Sequence, residues 1–102
     1  MICQEDQIVI LLDLLDDWRV DDLDSWKEIG HILYSISDKY LELWLRFCQR
    51  FENYNKDESI DQWEKCKTLS LHECPMITLK YYAVEDEPEL YLYYFPAKEM
   101  EE

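Results

Sequence analysis

Apolar residues recur along this chain at helical spacing. From about Gln4 to Asp16, residues Ile8, Leu11, Leu12 and Leu15 stand at the i, i+3, i+4, i+7 positions of one buried stripe. The β-branched trio Ile8, Val9 and Ile10 leaves a short strand as the alternative. Asp13, Asp16 and Asp17 crowd the end of this segment, where the helix dipole disfavours negative charge, so the helix should fray unless it is packed. A second helix is predicted from Ser25, whose pairing with Glu28 has the form of a capping box. It places Trp26, Ile29, Gly30 and Leu33 on one face. Gly30, the single glycine of the chain, costs about 1 kcal/mol relative to alanine in mid-helix. Close approach of another helix or of a Trp ring is the expected compensation.

The strongest pattern follows Ser37-Asp38 and runs to about Glu52. Tyr40, Trp44, Phe47 and Phe51 repeat at i, i+4, i+7 and i+11, flanked by Leu41 and Cys48. Lys39, Glu42, Arg46 and Arg50 occupy the other side. Asn53-Tyr54-Asn55-Lys56 reads as a joint rich in turn formers. A fourth helix is expected from Asp57 or Glu58 to about Lys67, anchored by Ile60 and Trp63. Thr68 to Cys74 reads as irregular. Pro75 suits the first turn of a fifth helix, with Met76, Leu79 and Ala83 inward, Tyr82 beside them, and an interruption at Glu87-Pro88. The run Leu90 to Phe95 fits a short helix or an edge strand equally. The expectation is an all-α domain: a compact bundle of about five helices over residues 1–95, then a frayed acidic tail over 96–102.

Composition narrows the function classes. The chain has 102 residues, 48% of them hydrophobic and 15% aromatic, with a net charge of −14. An acidic disordered chain would lack that apolar content. The charge argues against coating duplex DNA, whose affinity rests on neutralised phosphates, and against an anionic membrane surface. It is unevenly spread: residues 1–24 carry eight acids and one base, residues 81–102 carry seven acids and one base, and the centre is within one charge of neutral. No apolar run approaches the roughly 20 residues that span a bilayer, and the acidic N-terminus has no form of secretory signal. An intracellular protein with reduced thiols is expected.

Candidate chemistry is sparse. A single glycine excludes a P-loop and a dinucleotide fingerprint. The acids read as solvated blocks, and His31 as a packed or surface imidazole, so no catalytic residue is assigned. Cys66, His72 and Cys74, with Cys48 as a fourth, form a C-x5-H-x-C array unlike any usual zinc knuckle. Neither metal nor cofactor is expected. Trp26, Trp44 and Trp63 read as a bundle core. Their alternative role is a base-stacking surface flanked by cations, which is how single strands are held. Lys39, Arg46, Arg50 and Lys56 are the candidate nucleic-acid-binding residues. Arg46 is expected to pair with Glu42, leaving Lys39, Arg50 and Lys56 freer.

The order of these aromatic helices carries a resemblance. Asp22-Leu-Asp-Ser-Trp26-Lys-Glu-Ile-Gly30, Leu33-Tyr34, Tyr40-Leu-Glu-Leu-Trp44, Phe47, Tyr54, Glu58 before Trp63, Thr78-Leu79-Lys-Tyr81-Tyr82-Ala83-Val-Glu-Asp86 and Pro88-Glu-Leu-Tyr91 together resemble the primase C-terminal type-2 domain. That domain lies between primase and helicase modules of large-DNA-virus, phage and plasmid helicase-primases. Tyr82 stands where that family usually has Trp. The resemblance implies a non-catalytic helical module that assists replication initiation, with contacts to template single strand, nucleotide or neighbouring replication domains. Primase and helicase domains or other replication proteins are its implied partners. The acidic ends leave a second reading open, an interaction module that docks a basic partner or imitates DNA.

Overall fold

The computed structural model describes residues 3–96. Among these, seven α-helices and no strand are present: α1 (Gln4–Leu14), α2 (Trp18–Asp21), α3 (Leu23–Ile36), α4 (Leu41–Cys48), α5 (Lys56–Lys65), α6 (Pro75–Asp86) and α7 (Pro88–Tyr94). The all-α expectation holds. The two helices beyond the expected five are the short α2 and α7, so the ambiguous run is helical from Leu90 to Tyr94, with Phe95 just past the helix end. The frayed tail lies, from residue 97 on, outside the described residues.

The predicted stripes are the observed core. Ile8, Leu11, Leu12 and Leu15 of the first segment, Ile29 and Leu33 of α3, Trp44 and Phe47 of α4, and Leu79 and Ala83 of α6 are all buried. Trp44 is fully buried at the centre, with the Trp26 and Trp63 rings 5.3 and 6.3 Å away. Its indole N–H donates to the Ser59 carbonyl at 2.8 Å, joining α4 to α5. Gly30 is where that ring passes: a Cβ there would lie 3.0 Å from Trp44 Cη2. The glycine is compensated as expected, by the approach of an aromatic ring.

Several local expectations are corrected. The cap of α3 is Asp22, whose carboxylate accepts from the Ser25 amide at 3.0 Å. Ser25 therefore lies inside the helix. Glu28 makes no capping box and instead accepts the Tyr82 hydroxyl at 2.8 Å. The α4 segment ends at Cys48 rather than near Glu52. Asn55 caps α5 by accepting the Glu58 amide at 3.0 Å, so that helix starts at Lys56.

Two arginines tie distant segments together: Arg19 joins α2 to α6, and Arg50 joins the turn after α4 to the end of α1. Arg19 is only 4% exposed. Its Nε donates to Asp86 at 2.6 Å and one terminal nitrogen reaches Asp86 at 3.0 Å and Glu85 at 3.2 Å. Its guanidinium lies 4.3 Å from the Tyr82 ring centroid. Burial alone would lower the Arg19 pKa; the bonds to Asp86 and Glu85 outweigh it and raise it. Arg50 donates to the carbonyls of Leu12 at 2.9 Å and of Leu15, and to the Asp17 carboxylate at 2.7 and 2.9 Å. Placed at the C-terminal end of α1, it donates to the Leu15 carbonyl and to the Leu12 carbonyl, which also accepts the Leu15 amide at 3.2 Å, and it offsets the acids that threatened to fray that helix.

Candidate functional site

Only part of the predicted cationic surface is available to a ligand. Arg50, expected among the freer cations, is instead engaged by the end of α1 and by Asp17. Sequence spacing shows a helix face but not which distant carbonyls lie opposite it. Arg46 is exposed and forms no ion pair with Glu42 or with any other described residue. Lys56 is likewise exposed and without an ion-pair partner among the described residues. Lys39 is exposed, with its ammonium 5.8 Å from the Tyr40 ring centroid.

The α4–α5 joint brings Arg46 and Lys56 together. The turn closes through the Tyr54 amide, which donates to the Phe51 carbonyl at 3.1 Å. The Asn55 cap then fixes the direction of α5. Arg46 and Lys56 consequently line one open cleft of about 480 Å³ with Glu42, Gln49 and Tyr54. Arg46 also faces a smaller recess of about 120 Å³ shared with Asp13 and Arg50. Lys39 lines neither of them.

Tyr54 belongs to a second recess as well, of about 140 Å³, which Trp26, Phe51, Cys48, Asn53, Asn55, Asp21 and Glu58 help to line. A cavity near 150 Å³ accepts one benzene-sized ring. The base-stacking expectation is corrected in detail: Trp44 and Trp63 are interior, and of the three bundle tryptophans only Trp26 reaches this recess. Its indole N–H donates to Cys48 Sγ at 3.2 Å. Burial pushes the Cys48 thiol pKa up, partly countered by hydrogen bonds from Ser59 and Trp26. Cys48 is thus a packed thiol rather than a nucleophile.

The other candidate groups do not assemble into a centre. Cys48 and Cys66 are buried while Cys74 is exposed, and among the described residues no three of His, Cys, Asp and Glu gather as a metal site. His31 Nε2 lies 2.7 Å from the Ser70 carbonyl. His72 Nδ1 accepts the Cys74 amide at 3.2 Å, and its own amide donates to Ser35 Oγ at 2.8 Å. The His31 imidazole and the His72 backbone amide hold the α5–α6 loop against α3.

The sequence pattern of the primase C-terminal 2 family (PriCT-2) matches residues 9–83. The chain belongs to this family. A protein of Acanthamoeba polyphaga mimivirus named "Putative helicase L207/L206" is 27% identical over 81 residues. The match covers 79% of this chain and spans 8% of that protein's length. No solved structure matches the chain. The PriCT-2 match contains Gly30, the three core tryptophans, Arg46, Tyr54 and Lys56, and stops inside α6. Helix α7 lies beyond it. No helix among the described residues is long and apolar enough to cross a membrane.

Sequence reasoning placed Tyr54 in a turn and missed its position between the two recesses. The signal was present in the Asn53-Tyr54-Asn55 joint, where an aromatic residue among turn formers has no helical face to bury it. Nothing in the spacing marked Asp21 or Phe51 as its neighbours.

Proposed function

We propose that this chain is a non-catalytic accessory module of a viral-type DNA helicase-primase, which steadies single-stranded template or nucleotide near the catalytic domains. The observation that carries the reading is Tyr54, which faces an open cleft with Arg46 and Lys56 on one side and a ring-sized aromatic recess on the other. Such a junction pairs cations for phosphate with aromatic surface for one base. Membership of the PriCT-2 family and likeness to a viral protein named as a helicase support the same direction. The centres that make and break bonds belong, in this reading, to neighbouring domains or chains. Contact is weak, because two cations face the strand and Glu42 shares their cleft.

Anisotropy of a labelled single-stranded oligonucleotide, titrated across salt concentrations, tests this. Two neutralised phosphates should give a log–log salt slope of about −1.4. Arg46→Glu with Lys56→Glu should abolish binding, whereas Lys39→Glu should change it little. Binding that survives the double substitution would refute this surface. Absence of binding in the unsubstituted chain at low salt would refute the strand-contact role itself.

A further inference from the structure

Helix α6 is apolar on two sides. Leu79 and Ala83 point into the core, while Ile77, Tyr81 and Val84 stand at i, i+4 and i+7 on the outside, 70%, 59% and 39% exposed. Helix α7 follows and contributes no buried residue. Its Leu90, Leu92, Tyr93 and Tyr94 are 42–76% exposed. Lys80 Nζ of α6 lies 5.9 Å from the Phe95 ring centroid, so the end of α7 turns back along α6. Seven of the eleven large hydrophobic residues exposed in the described chain thus fall within residues 77–94. Scattered apolar residues on a surface need no explanation, but a concentration of this kind marks an interaction site.

The charge around this face selects its occupant. Residues 77–94 hold four acids and one base, and Asp86 is already engaged by Arg19. Glu85 also meets Arg19, at 3.2 Å, which leaves half-buried Glu87 and exposed Glu89 as the rim acids without an ion-pair partner among the described residues. A second copy of the chain would bring like charges together, which disfavours self-pairing. We infer that the α6–α7 face docks an amphipathic helix of another protein, one that carries apolar anchors along one side and Lys or Arg along its flanks. Apolar side chains in a groove supply most of the affinity of such complexes, and the opposite charges set orientation and encounter rate. This surface is separate from the Tyr54 junction, so it stands whether or not the chain holds a nucleic-acid strand.

The probe is a synthetic amphipathic helix of Leu, Trp and Lys, labelled for anisotropy, beside a counterpart with Glu for Lys. The full chain should bind the basic peptide and leave the acidic one free. Tyr81→Lys with Val84→Lys should weaken binding at least tenfold. Asp6→Asn with Glu52→Gln, which alters net charge equally at exposed sites elsewhere, should weaken it less than threefold. Ile77→Lys with Leu92→Lys serves as the second variant if melting shows the first pair to be unfolded. Equal losses in the face and control variants would reduce the effect to general electrostatics and overturn the proposal. So would failure to bind the basic peptide. Sedimentation showing a dimer that Tyr81→Lys dissociates would assign the face to a second copy instead.

Discussion

Replacing Gly30 by alanine sets two sizeable effects against each other. In an unobstructed helix interior the change stabilises by about 1 kcal/mol. Here the new methyl group would meet Trp44 Cη2 at 3.0 Å and both Cζ2 and Cζ3 at 3.2 Å. The ring has nowhere to retreat. It is fully buried, hydrogen-bonded to the Ser59 carbonyl at 2.8 Å, and set among Trp26, Phe47 and Trp63 at 5.3, 6.2 and 6.3 Å. Overpacking of this kind costs about 1–3 kcal/mol. The expected balance is a net destabilisation of about 1 kcal/mol. In a Trp44→Phe background the obstructing ring atoms are gone, and the same alanine should stabilise by up to about 1 kcal/mol. Urea unfolding of the four proteins, followed by far-ultraviolet circular dichroism with constant m values, closes the double-mutant cycle. An alanine that stabilises the parent chain, or has the same effect in both backgrounds, would refute the argument that the ring is fixed.

Three further outcomes are expected. Arg50→Met should destabilise by about 1–3 kcal/mol, because carbonyls at the end of α1 lose their donor; parity with the parent in urea would mean that water replaces it. A thiol reagent should modify exposed Cys3 and Cys74 promptly, and buried Cys48 and Cys66, whose pKa values burial raises, only on unfolding; four prompt thiols would contradict the packing. The Tyr82 phenol is pushed up to about 12 by burial and by its hydrogen bond to Glu28. Because its neutral form is favoured in the folded state, its contribution is complete below pH 10 and lost as pH rises towards 12. Stability of Tyr82→Phe should fall less steeply over that interval, and an equal fall would remove Tyr82 as a cause.

The periodic parts of the fold were legible because burial in a helical bundle repeats with the helix. Ile8, Leu11, Leu12 and Leu15 are buried as their spacing requires, and Gly30 lies against a tryptophan. The errors share one physical origin. Ser25-Glu28 has the local form of a capping box, but Tyr82, 54 residues away, takes Glu28. Arg50 was expected on a polar helix face, but it lies in the turn after α4, and the end of α1 supplies the carbonyls to which it donates. Long-range partners decide these roles, and local spacing does not contain them. For the candidate site, Arg46 and Lys56 were legible as charges. Their meeting at Tyr54 depended on the direction of a turn.

The clasp between Arg19 and Asp86 bears on where this domain can be divided. The PriCT-2 match ends at residue 83, three positions before the carboxylate that receives the buried guanidinium. A polypeptide cut at that family boundary keeps the arginine and loses both acids that compensate it. Stranding one partner of a buried pair costs about 3–5 kcal/mol, a large part of the stability of a domain this size. During synthesis the same imbalance persists until Glu85 and Asp86 have emerged. The chain therefore reaches its stable fold only after the whole of α6 is made, and its folding unit is longer than the segment that defines its family.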